Sequence, residues 1–393
     1  MNDCSASCRR APHIAFFSGD ITRSGGTERV ATWLAGALAE AFDASRSSQG
    51  VRGAARTRIS IVSLFEERAA PAFPIDARIR RFTLYPAVSH GIWRYFATVR
   101  RLVTLVRQQH IDVLIDIDGI LDMYALPVKR LAGVQVISWE HFNCLTNPGV
   151  PYRKLTRRWA ARRADAIVTL TGTDRALYER RFTPRCPVAA IANPMPVVTP
   201  TPVYDDSSRL ILSAGRLTRQ KGFDLLVDVA ARVLPKHSDW RWVILGEGEE
   251  RALLERRIAD ADLDGRLILA GRTDDMDGWM RRAALFVLTS RYEGLPMVLL
   301  EAKAYRVPIV AFDCPTGPSD IVADNVNGRL IAGLSVPAMA DAMEPLTDDD
   351  ALRRRFSQHA QDGAERFDES MILTQWMSLL HDVAAYGDKE REG

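Results

Sequence analysis

Short apolar runs of strand length recur along this chain, separated by stretches with helical spacing. In the first half, His13-Ile-Ala-Phe-Phe17, Arg58-Ile-Ser-Ile-Val-Ser63, Val113-Leu-Ile-Asp-Ile117, Val134-Gln-Val-Ile-Ser138 and Ala166-Ile-Val-Thr-Leu170 predict strands, and Thr27 to Ala41 predicts an apolar-faced helix. The second half opens with Arg209-Leu-Ile-Leu-Ser213 and a helix from about Gly222 to Leu234. It continues with Trp240-Arg-Trp-Val-Ile-Leu245, a charged helix near Glu249–Ala261, Arg266-Leu-Ile-Leu-Ala270 and a strand over Leu285–Thr289. Such alternation predicts parallel sheets covered by helices on both faces, an α/β architecture with ligand loops at the strand carboxyl ends. Between the halves, Asn193-Pro-Met-Pro196, Thr199-Pro-Thr-Pro202 and Tyr204-Asp-Asp-Ser-Ser208 concentrate prolines and turn formers. The expected division is a first domain over 1–193, a linker over 194–208 and a second domain over 209–370. Near the end, Met371 to Leu380 again has helical apolar spacing. No internal repeat is visible.

Composition narrows the class. A chain of 393 residues with 47% apolar residues is too long for one ordinary core and suits two globular domains. No apolar run approaches the roughly 20 residues that span a bilayer, and the opening residues 1–10 lack the apolar core of a signal peptide, so a cytoplasmic location is expected. Five scattered cysteines (Cys4, Cys8, Cys144, Cys186 and Cys314) suit reduced thiols, and Cys4 and Cys8 read as part of a frayed tail. Charge is unevenly divided. Residues 1–200 hold 28 Lys and Arg against 16 Asp and Glu, a net of +12, and the remainder hold 24 against 33, a net of −9. A positive half fits nucleic acid, an anionic membrane surface or a solvated face.

Candidate chemistry gathers at strand ends. Arg291-Tyr-Glu-Gly-Leu-Pro-Met-Val-Leu-Leu-Glu301 follows a strand, and Pro296 suits the first turn of a helix while pushing Leu295 out of the α region. Glu293 then falls on a loop and Glu301 inside a helix whose free N–H groups suit phosphate. Ser213-Ala-Gly-Arg-Leu-Thr-Arg-Gln-Lys-Gly222 places Arg216 and Lys221 between a strand and a helix. They match a diphosphate, although loop cations are also commonly solvated. Gly246-Glu-Gly-Glu249 is a glycine-rich turn, and Arg272 and the backbone around Thr273 are placed either to meet a nucleobase or to form an ordinary turn. In the first half, Ser24-Gly-Gly-Thr-Glu-Arg29 brings paired glycines, Gly25 and Gly26, to a helix entrance that Thr27 is placed to cap. His141 immediately follows the Val134–Ser138 strand pattern, at the carboxyl end of a strand. Asp116-Ile-Asp118 has the spacing of a metal motif but lies away from the phosphate residues, so a strand-end carboxylate pair without metal is expected.

Two stretches interleave basic and aromatic residues, His90 to Arg107 and Tyr152 to Arg163. Each reads either as a helix lying on an anionic leaflet or as a domain helix with its Trp and Leu turned inward.

Three runs together, Glu293-x7-Glu301, Gly-Arg-Leu-x4-Lys-Gly over 215–222 and Gly-Gly-x-Glu-Arg over 25–29, resemble glycosyltransferase family 4 over nearly the whole chain. The resemblance implies the GT-B fold, two facing Rossmann-like domains with an interdomain cleft, and retaining transfer from a nucleotide sugar. It implies that Arg216 and Lys221 neutralise the donor diphosphate, that Glu301 holds the ribose and that Glu293 binds the transferred sugar. Gly26 would let the donor approach, His141 would lie near the reacting sugar, and the N–H groups of Leu295, Met297 and Val298 would complete the cradle. The helix after Met371 would cross back to the first domain. Asp313-Cys-Pro-Thr-Gly-Pro-Ser-Asp-Ile-Val322 further resembles bacterial enzymes of capsule, exopolysaccharide and O-antigen synthesis, favouring UDP and adding Gly317 to Ser319 to the cradle. The expected partners are a nucleotide sugar, a lipid-linked saccharide acceptor and an anionic membrane surface, with no cofactor, no metal and no nucleic acid. Two rivals are a nucleotide-sugar 2-epimerase of the same fold and a nucleic-acid-binding protein.

Overall fold

The computed structural model describes residues 12–48, 58–88, 94–146, 150–201 and 203–392, so Cys4, Cys8 and the start of the His90 stretch lie outside the described residues. The chain forms two compact units. The first comprises residues 1–170, 175–191 and 370–393, and the second residues 171–174 and 192–369.

The first unit contains β1 (His13–Ser18), α1 (Gly26–Ser48), β2 (Arg58–Ser63), β3 (Arg80–Thr83), α2 (Arg94–Gln109) and β4 (Val113–Asp116). It continues with α3 (Asp122–Ala132), β5 (Gln135–Trp139), α4 (Arg153–Arg163), β6 (Ala166–Thr169), α5 (Gly172–Phe182) and β7 (Val188–Ala190). The strands form one parallel sheet in the order β3-β2-β1-β4-β5-β6-β7. Strand order reverses between β1 and β4, which marks a switch point where carboxyl-end loops part. Central strands are covered on both faces: all six residues of β1 and all four of β4 are buried. That double burial requires continuous apolar runs, the pattern seen in the sequence. Edge strand β3, Arg80-Arg-Phe-Thr83, is exposed at Arg80, Arg81 and Thr83, only Phe82 being half-buried, and carries no such run.

The second unit contains β8 (Leu210–Ala214), α6 (Phe223–Val233), β9 (Arg241–Leu245), α7 (Arg251–Asp260), β10 (Leu267–Gly271), α8 (Met276–Arg282) and β11 (Leu285–Leu288). It continues with α9 (Met297–Ala304), β12 (Ile309–Asp313), α10 (Pro318–Ile321), β13 (Gly328–Ala332), α11 (Val336–Asp348) and α12 (Asp350–Gln358). Its parallel sheet runs β10-β9-β8-β11-β12-β13, with the switch point between β8 and β11. One apolar cluster fills the unit, with Trp240, Trp242, Phe223, Met339 and Phe312 at its centre. Segment 194–208 is bonded into this unit: Met195 N donates to Phe367 O (2.9 Å), Tyr204 Oη to Ala284 O (2.8 Å), and Arg353 Nη2 to Asp206 O (2.8 Å).

From Ser370 the chain belongs to the first unit again, along α13 (Glu369–Glu392). Trp376, fully buried, meets Trp139 edge-on with ring centroids 4.8 Å apart, and Gln135 Nε2 donates to Val383 O (2.5 Å). Among the described residues no helix is long and apolar enough to cross a membrane.

Candidate functional site

At the switch point of the second unit, loops from four strand ends lock together through glycines. Gly222, at φ +66°, lies so close to the loop after β11 that a Cβ there would come within 2.2 Å of Thr289 O. Only glycine tolerates both the left-handed backbone and that approach. Lys221 is thereby held against the β11 loop, where Thr289 Oγ1 donates to Lys221 O (3.1 Å) and Lys221 Nζ donates to Glu293 Oε1 (2.6 Å). Ser290 Oγ donates to the same carboxylate oxygen (2.6 Å), and Thr316 Oγ1, from beyond β12, donates to Glu293 O (2.8 Å). Arg291 closes the same contact by donating from both terminal nitrogens to Asp224 (2.7 Å each) and from its backbone N to Gln220 O (2.8 Å). The guanidinium beside Asp224 holds that carboxyl below its ordinary value against the opposing effect of burial.

The neighbouring loops add to the cradle. A Cβ at Gly246 (φ +142°) would meet Gly215 O at 1.9 Å, and Gly246 N donates to Gly271 O (2.8 Å), so the loops after β8, β9 and β10 press together. Arg216 and Arg272 are exposed on those loops, and Thr273 Oγ1 accepts from Asp275 N (3.0 Å). Gly317 (φ +99°) packs under Pro296, where a Cβ would lie 2.5 Å from Pro296 Cδ. Pro296 is the cap of α9, with ψ 101°, and not its first helical residue, so the helix starts one position later than its proline suggested. The backbone N–H groups of Met297 and Val298 lie in the first turn of α9, where no intrahelical acceptor exists, and buried Leu295 immediately precedes the cap. Glu301 is four residues after Met297 and on the same face, only 9% exposed. The second unit therefore brings together Arg216, Lys221, Glu293, Glu301 and the α9 amino end around one switch point.

Three expected site residues belong to the first unit. Gly25 and Gly26 follow β1, and the Glu28 side chain folds beneath Gly25, where a Cβ would meet Glu28 Oε2 at 2.2 Å. Burial pushes the Glu28 carboxyl up. Thr27 lies inside α1, which starts at Gly26, so it does not occupy the cap position expected of it. His141 follows β5, buried, with its ring centroid 4.5 Å from that of Trp139 and its Nε2 without a hydrogen-bond partner. Burial lowers its pKa to about 4, which leaves a neutral imidazole at ordinary pH.

Beside it lies a carboxylate cluster that strand patterns did not reveal. Asp116 and Asp122 are fully buried, Ser138 Oγ donates to Asp122 Oδ2 (2.8 Å), and burial raises both acids, Asp122 to about 8. Asp118 pairs with Arg153 (Nη2 to Oδ2, 3.2 Å), and its charge adds to the rise of both acids. Glu140 is buried against Arg157 Nε (2.6 Å), and Arg157 also donates to Asn143 O (3.1 Å) and Thr146 O (2.7 Å). Among the described residues, His237, Glu344 and Asp348 bring ligating atoms within 4.8 Å of one another near the start of β9, at the opposite end of that sheet from the glycine loops.

Ser290 and Thr316, which hold Glu293, were not singled out in the sequence. Ser290 had a signal, since it directly ends an apolar strand run, whereas Thr316 reaches Glu293 only through the folded β12 loop.

Residues 24–197 match the family described as Glycosyltransferase Family 4, and residues 202–363 match Glycosyl transferases group 1. The chain is 28% identical over 371 residues to the amylovoran biosynthesis glycosyltransferase AmsD of Erwinia amylovora, covering 92% of this chain and 97% of that one. It is 25% identical over 367 residues (92% of this chain, 96% of the other) to a Campylobacter jejuni alpha-1,4-N-acetyl-D-galactosaminyltransferase. That enzyme's name gives a diNAcBac-PP-undecaprenol saccharide as the molecule it acts on. Among solved structures, Anabaena HepE in complex with UDP-glucose matches with a TM-score of 0.71 at 17% identity, covering 94% of this chain and 99% of that one.

Proposed function

The chain belongs to glycosyltransferase family 4, and from that premise we propose that it moves a hexose or N-acetylhexosamine from a UDP-sugar to a lipid-linked saccharide in cell-surface polysaccharide synthesis. The observation that carries the reading is the Lys221–Glu293 contact (2.6 Å) beside the first turn of α9. Breaking the anomeric bond puts positive charge on the sugar and further negative charge on the departing diphosphate. Arg216, Lys221 and the N–H groups of Leu295, Met297 and Val298 meet that growing anion, which lowers the barrier. The ammonium of Lys221 has three donors, so one can stay on Glu293 while the others turn to phosphate oxygens. Glu293, fixed by Lys221 and Ser290, is then held to accept from a sugar hydroxyl, and Glu301 from the ribose. His141, neutral, is suited to hydrogen-bonding a sugar hydroxyl and not to supplying charge.

Retention is assigned to attack on the face from which the diphosphate leaves, with the acceptor's proton passing to the leaving phosphate oxygen. No covalent nucleophile is needed, and a Glu293→Ala protein with full turnover would remove Glu293 from the mechanism. Because Arg216 and Lys221 supply the positive charge, transfer should persist in EDTA. The uridine assignment is supported by the UDP-glucose held by HepE and by Asp313 to Val322. A thermal-shift screen of nucleotide sugars tests it: UDP-sugars at a hundredfold excess over Kd should stabilise the protein by about 2.7 kcal/mol, and a response to GDP-sugars instead would overturn the base assignment. Formation of an epimer from a UDP-sugar without acceptor, seen by NMR, would favour the epimerase reading.

The basic helices α2 and α4 are assigned to an anionic leaflet, each basic residue near the surface contributing about 1 kcal/mol. Failure to sediment with phosphatidylglycerol liposomes at low salt would remove that part of the proposal.

A further inference from the structure

The carboxyl end of α11 departs from the charge pattern that helices favour. A helix attracts cations at this end, yet the closing residues of α11 include Glu344 and Asp348 and its last turn holds no basic residue. The acids that follow have evident roles. Asp349 caps α12 by accepting from Ala351 N (2.8 Å) and Leu352 N (3.0 Å), and Asp350 pairs with Arg353 and Arg209. Glu344 and Asp348 stand four residues apart on one face of α11, and both meet His237, from the connection between α6 and β9. Lys236 Nζ donates to Glu344 Oε1, which leaves Glu344 Oε2 for His237.

The hydrogen bonds around His237, whose side chain is only 10% exposed, fix its tautomer. Thr347 Oγ1 donates to Glu344 O (2.8 Å) and lies 3.1 Å from His237 Nε2, so the threonine oxygen accepts there and Nε2 carries the hydrogen. In the neutral ring the lone pair is then on Nδ1, which faces Asp348 Oδ1 at 3.4 Å. Glu344 Oε2 lies 3.5 Å from Nε2. A lone pair and a carboxylate oxygen repel each other unless a proton or a metal ion stands between them. The separations discriminate between the two. An N–H···O bond draws its heavy atoms to about 2.7–3.2 Å. Two ligands of one tetrahedral zinc ion, each about 2.0–2.2 Å from the metal, stand about 3.3–3.5 Å apart.

We propose that His237, Glu344 and Asp348 form a zinc site, with water in the fourth position. One nitrogen of His237 and one oxygen of each acid already lie within 4.8 Å of one another, so rotations of the side chains bring all three onto one ion. Thr347 acts as the outer partner that orients the imidazole. A ligand set of one imidazole and two carboxylates suits zinc, whereas magnesium and calcium take oxygen ligands. The ion supplies the positive charge that the end of α11 lacks, and it ties that helix to the α6–β9 connection. This site lies at the opposite end of the sheet from the glycine loops, so it acts on the stability of the second unit and takes no part in transfer. Asp348 is 67% exposed, which lets the ion exchange with solution.

The test uses the full chain, freed of metal by EDTA and dialysis, and titrates zinc chloride by calorimetry. His237→Ala and, separately, Asp348→Asn should each weaken zinc binding at least tenfold. Zinc should raise the melting temperature of the parent and leave that of both variants unchanged, and magnesium should have no effect. Asp348→Asn replaces an exposed group by one of the same shape, so its melting temperature in EDTA should equal the parent's, which separates loss of the site from loss of the fold. Cobalt bound in place of zinc should show visible d–d absorption in the parent that His237→Ala lacks. Absence of zinc binding, or an affinity that either variant leaves unchanged, would overturn the site. So would an equal response to magnesium, or loss of all zinc binding in Cys4→Ser with Cys8→Ser, which would assign the ion to the thiols near the start of the chain.

Discussion

Glu293 is a buried carboxylate whose Oε1 receives both the Lys221 ammonium and the Ser290 hydroxyl, each at 2.6 Å. A charge-assisted bond of this kind contributes about 1.5–3 kcal/mol, so Lys221→Ala should lower kcat/KM for the nucleotide sugar by roughly ten- to hundredfold in steady-state assays. His141 sets a different signal. Its folded pKa, about 4, lies below an unfolded value of about 6.5, so the unfolded chain takes up the proton first. Stability contributed by this residue is present above about pH 6.5 and is lost as pH falls towards 4, by about 3 kcal/mol in the limit. Urea unfolding midpoints measured between pH 4 and 7 should therefore vary less steeply in His141→Asn than in the parent. The types and order of Glu293, Glu301, Arg216 and Lys221 were legible as residues. Which carboxylate meets which cation was not, because Lys221 and Glu293 are 72 positions apart and meet only through the Gly222–Thr289 approach.

At the level of elements, most strands were legible, edge strand β10 among them, but internal strand β12 (Ile309–Asp313) was not singled out. β1, β2 and β4 are buried strands whose apolar runs mark them, while β3 and the three-residue β7 have too little apolar pattern to be recognised. α4 shows where pattern misleads. Its Arg and Trp positions leave open which face turns inward, and the answer came from Glu140, a partner on the loop after β5. Arg157→Met should leave buried Glu140 with only the more distant Arg153 (3.6 Å) as counter-charge and remove the donor that Arg157 supplies to the Thr146 carbonyl. The expected cost is about 3–5 kcal/mol, measurable by urea denaturation. Asp116→Asn should act in the opposite direction, since an amide replaces an acid that burial and the neighbouring Asp122 hold in the protonated form. Because its folded pKa is raised, the parent loses stability as pH climbs above the ordinary carboxyl range, and the margin by which the variant's urea midpoint exceeds the parent's should grow as pH rises.

For the whole molecule, residues 1–200 carry a net charge of +12 and residues 201–393 one of −9, and the second unit is built around one carboxylate-lined cradle. The last helix complicates a simple division of the chain, because residues 370–393 belong to the first unit and bury Trp376 against Trp139. Trp376→Ala should cost about 3–5 kcal/mol, seen in calorimetry as a lowered transition, while UDP continues to stabilise the protein. The amino-acid sequence by itself determined the α/β class and the parallel sheets and pointed to Arg216, Lys221, Glu293 and Glu301 as candidates, because buried strands, strand-end loops and glycine-dependent turns are local demands written in short stretches. Only the tertiary structure decided the partners: Glu293 with Lys221 and Ser290, Asp116 with Asp122, Arg157 with Glu140, and the outward face of α4. Those contacts join distant positions, and the free energy of burying a charge depends on the neighbour that folding brings to it.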